Sequence, residues 1–458
     1  MATTAIRIVV LGGGPAGYLG ALRAAQLGAS VTLVEKDHCG GVCLNHGCIP
    51  TKALLRTSEL ASYAQKCGDF GLDMPLSGLD WSRSLARKER ITKILRNGVE
   101  QLLKEAGVTR LTGEGRLSSA KEMEVVTETE SHLLNFDKLL IATGSKANRP
   151  PIPGADSLSV FTSDKLLTLK KIPRRLVVIG GGVIGLEFAQ MFVSLGSEVI
   201  LLELQPQLLP EEDKDISLDL VKSLQRQGLR IFTQAQVTNI LYNSEETTVS
   251  FTHKGAAKDV PADIVLLATG RQPAPPPEAA SLGLALGDKG EIIVNKRQET
   301  NLPGIYAAGD VTGGKLLAHK AYAEGRAAME NALGYPAVVP QHLVPSCVYT
   351  QPELASVGLT EEAALRQGYE VRCGRASFRQ NGRALCLGER DGLVKVVVDA
   401  VTDRLLGVHM SGPHVSELLG EASLALSLGV TALQLSTLTH PHPSLSEALM
   451  EACAQATE

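Results

Sequence analysis

The sequence is poor in aromatic side chains, with one Trp, eight Tyr and eight Phe in 458 residues, so it lacks the stacking surfaces on which proteins bind single-stranded nucleic acid. It has no excess of positive charge either. Lys and Arg number 45 against 49 Asp and Glu, a formal charge of -4, and no global basic field exists to gather nucleic-acid backbones or anionic lipid. Long hydrophobic runs are missing too. The most apolar stretch, Leu176–Leu186, contains four glycines, is closed by Glu187, and falls short of the ~20 residues a bilayer span needs. The N-terminal stretch reaches a glycine cluster at Gly12 without the basic and apolar regions of a secretory signal. A cytoplasmic protein is therefore expected, with neither nucleic acid nor membrane as partner. Eight cysteines are too few for a disulfide scaffold in a chain this long, and in that compartment a close pair is more often catalytic or metal-binding.

What the chain does have is length and glycine. At roughly 150 residues per domain it holds about three domains, and its 45 glycines point to ligands contacted by backbone. From Ile6, IRIVVLGGGPAGYLGALRAAQLGASVTLVEK reads as strand, glycine turn, helix and second strand ending in Glu35. The pattern returns in RLVVIGGGVIGLEFAQMFVSLGSEVILLEL, where Gly180, Gly196 and Glu203 follow Gly12, Gly28 and Glu35 by 168 positions each. One GxGxxG is weak evidence, whereas two with the same internal spacing are a strong signal for two dinucleotide-type folds. DKLLIATG (137–144) and DIVLLATG (263–270) form a second internal match, and each is expected to close its own sheet. Pro150 to Pro153 and PAPPPEAA from Pro273 read as breaks. Beyond about Pro340 the glycine turns are gone, and strands followed by helical runs suggest an α+β C-terminal domain. The fold class expected is α/β, with two Rossmann-like domains and that α+β domain.

The glycines have distinct tasks. Gly12 permits the tight turn, Gly14 lets backbone approach a pyrophosphate, and Gly17 allows helix and sheet to pack closely, while Glu35 accepts hydrogen bonds from a ribose. Gly180, Gly182, Gly185 and Glu203 repeat the arrangement. A 2'-phosphate near the Glu203 carboxylate would be repelled by up to a few kcal/mol at an effective dielectric near 20, so NAD is expected over NADP. Asp310, ending GIYAAGD, reads equally as a helix N-cap for the run downstream or as a group that binds a sugar-like hydroxyl.

GGVCLNHGCIPTKALL places Cys43 and Cys48 five residues apart. On an ideal α-helix that offset is too long for a disulfide, so pairing requires a distorted helix, which Gly47 and Pro50 make plausible. A thiolate at the start of the following helix would be favoured by helix-end N–H groups. Buried free thiols remain an alternative. A metal site with Cys39, His38 and His46 is another, although the spacing fits no common zinc pattern and no metal is expected. Near the C-terminus, THPHPSLSEALMEA offers His440 and His442, and histidine is the side chain suited to accept a proton near neutrality. Ser444 to Glu447 is also a capping-box sequence for the last helix, so Glu447 either orients His442 or caps, with the first favoured.

GGGPAG, CLNHGCIPTK, IATG, GGGVIGLE, IYAAGD, LAHKA, TQPELASVG and HPHPSLSEA run in order over nearly the whole chain. In combination they resemble the pyridine-nucleotide disulfide oxidoreductases, and CLNxGCIPTK is nearer to the lipoamide enzymes among them than to glutathione or mercuric reductases. Val42 and His46 depart from the residues commonest there. The resemblance implies an FAD-binding domain (1–147), an NAD-binding domain (148–270), a central domain completing the FAD site (271–338) and a C-terminal interface domain (339–458) that forms a homodimer. It implies FAD contacts at Gly12, Gly14, Gly17, Glu35, Lys52, Thr143, Gly144 and Asp310, and NAD contacts at Gly180, Gly182, Gly185, Glu187, Glu203 and Gly270. Lys52 would stand near the flavin and pair with Glu187. Cys48 would be the thiolate facing the flavin, Cys43 the thiol that exchanges with substrate, His442 the base and Glu447 its carboxylate, the last two reaching the disulfide of the other subunit. The activity implied is oxidation of a dihydrolipoyl group on a separate carrier, in a 2-oxo acid dehydrogenase complex or the glycine cleavage system, with reduction of NAD. The rivals are another NADH-dependent disulfide reductase and a non-catalytic flavin redox sensor.

Overall fold

The computed structural model describes residues 5–73, 78–243 and 246–457, which form two compact units. The first comprises the chain up to Ala53, Ser82–Asn148 and Arg271–Gln341. Its sheet is built on β1 (Arg7–Leu11) and β2 (Ser30–Glu35), which pair in parallel with Arg7 opposite Ser30, as the intervening helix α1 (Pro15–Gln26) requires. β3 (Lys138–Ile141), the strand of the IATG motif, pairs with the other side of β1. It does not close the sheet as expected. Ile305–Ala307 pairs in parallel beyond it, and Thr109–Thr112 flanks β2 at the opposite edge. The physical reason is burial: Leu139, Leu140 and Ile141 are wholly buried, and a buried strand needs backbone partners on both sides.

Helices α2 (Gly41–His46), α3 (Cys48–Lys66) and α4 (Trp81–Glu105) follow β2 in the chain. Helix α5 (Ala318–Ala332) crosses α1 where two glycines remove side-chain bulk. A Cβ on Gly20 would stand 3.0 Å from the Gly325 carbonyl oxygen, and one on Gly325 would stand 2.1 Å from that of Ala16. The backbones therefore touch, and α5 fixes the floor under the glycine turn.

The second unit comprises Leu54–Trp81, Arg149–Gly270 and the chain from His342 onward. It repeats the first topology. β4 (Arg175–Ile179) and β5 (Glu198–Leu202) pair in parallel around the helix Val183–Ser194, and β6 (Ile264–Leu267) pairs on the other side of β4. Here too the Ala-Thr-Gly strand is not the edge, because Val160–Thr162 pairs beyond β6. The repeat also extends further than the glycine motifs. Each half carries a three-stranded antiparallel meander just before its Ala-Thr-Gly strand, Glu114–Asn135 in one and Ala235–Ala262 in the other.

From Ser346 the second unit holds a five-stranded antiparallel sheet, covered by α6 (Val415–Leu428), α7 (Ala432–Ser436) and α8 (Glu447–Thr457). Val394, Val396, Val408 and Met410 pack against Ala448, Leu449 and Ala452 of α8. A Cβ on Gly374 of this sheet would stand 1.9 Å from the Ala452 carbonyl oxygen, so α8 lies directly on the strand. A buried cation ties the sheet to the nucleotide-type half of the unit. Lys395 Nζ meets Asp213, Asp215 and Glu361 at 3.0, 2.9 and 2.7 Å. Burial works against its charge, but the three carboxylates outweigh it and raise its pKa, so the lysine stays protonated.

Candidate active site

The two glycine turns share one geometry. Gly12 and Gly180 have φ of 101° and 112°, in the left-handed region where only glycine is comfortable. A Cβ on Gly17 would fall 1.8 Å from the Gly12 carbonyl oxygen, and one on Gly185 2.0 Å from that of Gly180, so these two permit the close helix-to-turn packing expected of them. Gly182 has open space where its Cβ would be, and Gly14 meets nothing nearer than the Gly41 Cα at 3.8 Å. Each turn thus leaves a cradle at its helix N-terminus, suited to a pyrophosphate.

Glu35 and Glu203 end their strands as expected and do more. The Gly13 N–H donates to Glu35 Oε2 at 2.7 Å and the Asp37 N–H to Oε1 at 2.9 Å. The Gly181 and Gln205 N–H groups do the same for Glu203, both at 2.6 Å. The acidic residue therefore braces the turn that faces the phosphate. The middle glycines that make this possible, Gly13 and Gly181, were not singled out in the sequence, although both lie inside the motif.

Thr143 and Gly144 lie just past the end of β3, and Gly270 lies past β6 at the position equivalent to Gly144. Thr143 Oγ1 is buried without a hydrogen-bond partner among the described residues, which fits a polar group of a cofactor. Asp310 does not cap the downstream helix: α5 begins eight residues later with Leu317 as its N-cap and no side-chain cap bond. The Asp310 carboxylate instead accepts from Ser145 Oγ at 2.5 Å, and Arg271 Nε donates to that hydroxyl at 2.8 Å. Two intervening glycines set the aspartate apart from the helix, which is why the capping reading fails. The open cradle, the braced turn, the unpartnered Thr143 hydroxyl and the held Asp310 together fit FAD in the first unit.

The cysteines lie on either side of a helix break. α2 stops at Gly47, whose φ of -142° and ψ of -110° are not helical, and Cys48 opens α3. Cys43 and Cys48 lie side by side, and Cys43 is hydrogen-bonded to Cys48. That bond first, then burial, pushes the Cys43 thiol far up, while the Lys52 ammonium works the other way. Lys52, one turn into α3, is thus close enough to bear on the dithiol. Tyr18 of α1 and Tyr322 of α5 meet edge to face with centroids 6.1 Å apart, and both feel Cys43.

Asn45, between the two cysteines, bolts α2 in place. Its Nδ2 donates to the Cys39 and Gly41 carbonyls at 3.2 and 3.0 Å, and its Oδ1 accepts from Arg96 Nε of α4 at 2.9 Å. The loop it holds reaches the glycine turn through the Gly40 N–H, which donates to the Gly13 carbonyl at 2.8 Å. His38 and His46 face Asp37 at 3.7 and 3.6 Å, and no group of three or more His, Cys, Asp or Glu among the described residues has the geometry to hold a metal.

His442 and Glu447 belong to the second unit. Glu447 does not choose between its two expected roles, because each carboxylate oxygen takes one. Oε1 meets His442 Nδ1 at 2.8 Å, and Oε2 accepts from the Ser444 N–H at 2.8 Å. The either/or reading overlooked that a carboxylate at the first turn of α8 presents two acceptors in different directions. The Ser444 N–H first and His442 second hold the Glu447 carboxyl below its ordinary range, so it stays ionised. The imidazole itself is 79% exposed and free to meet a substrate. Glu187 is buried on the helix Val183–Ser194 and accepts from the Tyr349 N–H at 3.0 Å. His440, a mere neighbour in the sequence, is held by Glu421 of α6 at 2.9 Å.

The chain matches the pyridine nucleotide-disulphide oxidoreductase family over residues 6–325 and that family's dimerisation domain over residues 344–453. A dihydrolipoyl dehydrogenase of Thermus scotoductus is 43% identical over 457 residues, covering 97% of this chain and 96% of the relative. One from Bacillus subtilis is 38% identical over 465 residues, covering 98% and 97%. Among solved structures, the HOCl-induced flavoprotein disulfide reductase RclA from Escherichia coli, in its Cu(II) complex, superposes with a TM-score of 0.88 at 30% identity, with 99% of each chain covered. LpdA from Mycobacterium tuberculosis superposes with a TM-score of 0.91 at 28% identity, covering 98% of this chain and 99% of that one.

Proposed function

The chain belongs to the pyridine nucleotide-disulphide oxidoreductase family, and from that premise we propose how its residues carry out the oxidation of a dihydrolipoyl group with reduction of NAD. It is a flavoprotein oxidoreductase acting on a sulfur group, with FAD and NAD as its cofactors, and it carries the family's dimerisation domain. The observation that carries the reading is the dithiol: Cys43 hydrogen-bonded to Cys48 across the break at Gly47, in the same unit as the braced glycine turn.

The four segments take the roles the resemblance implies: FAD binding (1–147), NAD binding (148–270), completion of the FAD site (271–338) and the dimer interface (339–458). In the oxidised enzyme, a substrate thiolate attacks Cys43 of the Cys43–Cys48 disulfide and releases Cys48 as thiolate. His442 Nε2 takes the proton of the second substrate thiol, whose sulfur closes the substrate's own disulfide and releases Cys43. Glu447, ionised, holds His442 by Nδ1 and so leaves Nε2 as the accepting nitrogen. Cys48, at the N-terminus of α3, is the sulfur on which helix-end N–H groups favour negative charge. FAD, when bound, supplies the two-electron relay from the dithiol to NAD. Glu35, Gly14, Lys52 and Asp310 would hold FAD, and Gly180, Gly182, Gly185, Glu187, Glu203 and Gly270 would serve NAD. The carrier is a separate lipoylated protein, and the reaction runs in the cytoplasm on a homodimer.

NADH formation by the FAD-loaded protein with NAD and dihydrolipoamide tests this, with NADP as comparison. Rapid turnover with NAD alone is expected. A flavin that dihydrolipoamide leaves oxidised would overturn the substrate. The likeness to RclA makes a different disulfide the second reading, for which NADH consumption with that disulfide but not with lipoamide would decide.

A further inference from the structure

Behind the base stands a second histidine–carboxylate pair that the reading above, on which this inference rests, leaves without a task. The His440 side chain is 4% exposed, whereas that of His442 is 79% exposed. Its Nδ1 lies 2.9 Å from the Leu438 carbonyl oxygen, and its Nε2 lies 2.9 Å from Glu421 Oε1 on α6. A carbonyl oxygen has no proton to give, so Nδ1 donates to Leu438. A neutral imidazole in that tautomer would turn the Nε2 lone pair onto an ionised carboxylate at hydrogen-bond distance, which is repulsive. The contact at 2.9 Å therefore contains a proton, either on the imidazole or on the acid. In both forms the pair has no net charge.

On α8, Glu447 acts on His440 and Cys453 on Glu421. Burial pushes the Cys453 thiol up to about 12, so it brings no charge, while Glu447 is ionised. The segment from Leu438 to Ser444 runs from the end of α7 toward α8 and bears the exposed His442 between two anchors. Glu447 grips it on one side. On the other side, His440 ties it at once to its own Leu438 carbonyl and to α6.

We propose that His440 and Glu421 are a positioning pair whose hydrogen bond ties the segment carrying His442 to α6 and so holds it in its working direction. The pair touches no reacting atom and acts through the base.

Two holoenzyme variants test this, with kcat and KM for dihydrolipoamide measured for each. In Glu421→Gln the amide N–H donates to Nε2 of a neutral His440, so the bridge survives. This variant is expected to keep near wild-type kcat. Glu421→Leu is expected to lose about tenfold in kcat with KM little changed. NADH-driven reduction of ferricyanide, which needs no base, is expected to be unchanged in both. Full activity in Glu421→Leu, or a loss in Glu421→Gln as large as that in Glu421→Leu, would overturn the proposal. If Glu421→Leu also loses the ferricyanide reaction it is misfolded, and His440→Ala, expected to show the same loss in kcat, decides in its place. A wild type that turns over no dihydrolipoamide would sink the functional reading and this inference with it.

Discussion

Glu203 illustrates how one side chain serves two purposes. Its side chain accepts from the Gly181 and Gln205 N–H groups, so it braces the turn, and by the proposed reading the same acidic group meets the ribose of NAD. A 2'-phosphate a few ångströms away would be repelled by about 4 kcal/mol at an effective dielectric of 20 before screening. Glu203→Gln removes the charge and retains one acceptor oxygen for the turn. The ratio of kcat/KM for NAD to that for NADP is expected to fall about tenfold or more, equivalent to ~1.4 kcal/mol, while KM for NAD rises only a few-fold. An unchanged ratio would mean that something other than this carboxylate sets the preference. Glu447 shows the same economy. Its low pKa also has a stability consequence: the native state favours its ionised form, so its contribution is present above the unfolded carboxyl range and fades as pH falls through the lower native value.

At the scale of elements, the redox site depends on where α2 ends, and that end is held from a distance. Arg96 of α4 reaches Asn45 across 51 residues, and Asn45 holds the loop that meets the glycine turn. Arg96→Ala leaves the half-buried surface of α4 nearly intact but frees one side of Asn45. A disulfide demands closer registration of the two sulfurs than a dithiol does. Loosening α2 should therefore cost the disulfide more, making the Cys43–Cys48 couple easier to reduce. A hydrogen bond from a charged donor at such a site is worth roughly 1 kcal/mol, so the potential is expected to rise by about 20 mV, measured by equilibration with a lipoamide redox buffer. A potential that stays put would show that the clamp is only scaffolding. The same distance explains what the sequence did and did not disclose. The βαβ units were legible because Gly12, Gly17 and Glu35 recur with one spacing at Gly180, Gly185 and Glu203. The cysteine pair and the break at Gly47 were legible because a helix cannot bring positions five apart together. Ile305–Ala307 was legible as a strand within GIYAAGD but not its pairing beyond β3, and Val160–Thr162 was not legible at all, since three residues carry no periodicity and the partners lie far along the chain. Asn45 stands in full view inside CLNHGC, yet its function depends on an arginine that no local pattern points to.

For the whole molecule, the decisive fact is that Cys43 and Cys48 belong to one unit of the chain and His442 to the other, and that the second unit presents exposed apolar side chains. On α6, Leu419, Ala422 and Ala425 turn inward, while Leu424 and Leu428, four residues apart, are 60% and 71% exposed. Leu433 and Leu438 continue the exposed leucines beyond that helix. Such a face on a segment that matches the family's dimerisation domain is where a second copy would bind. Leu428→Asp places a charge in it, and the expected outcome is a shift toward monomer in sedimentation, with dihydrolipoamide turnover lost and NADH-driven ferricyanide reduction kept. Subunit mixing then asks whether the base acts across the interface. A heterodimer of a Cys43→Ser chain and a His442→Ala chain has one site with both groups intact and one with neither, provided that each site takes its cysteine and its histidine from different chains. Purified heterodimers should then show half of wild-type activity, and an equal random mixture, half of it heterodimer, should show a quarter. If each chain instead used its own histidine, every site would lack one group, and no mixture would regain activity above its parents.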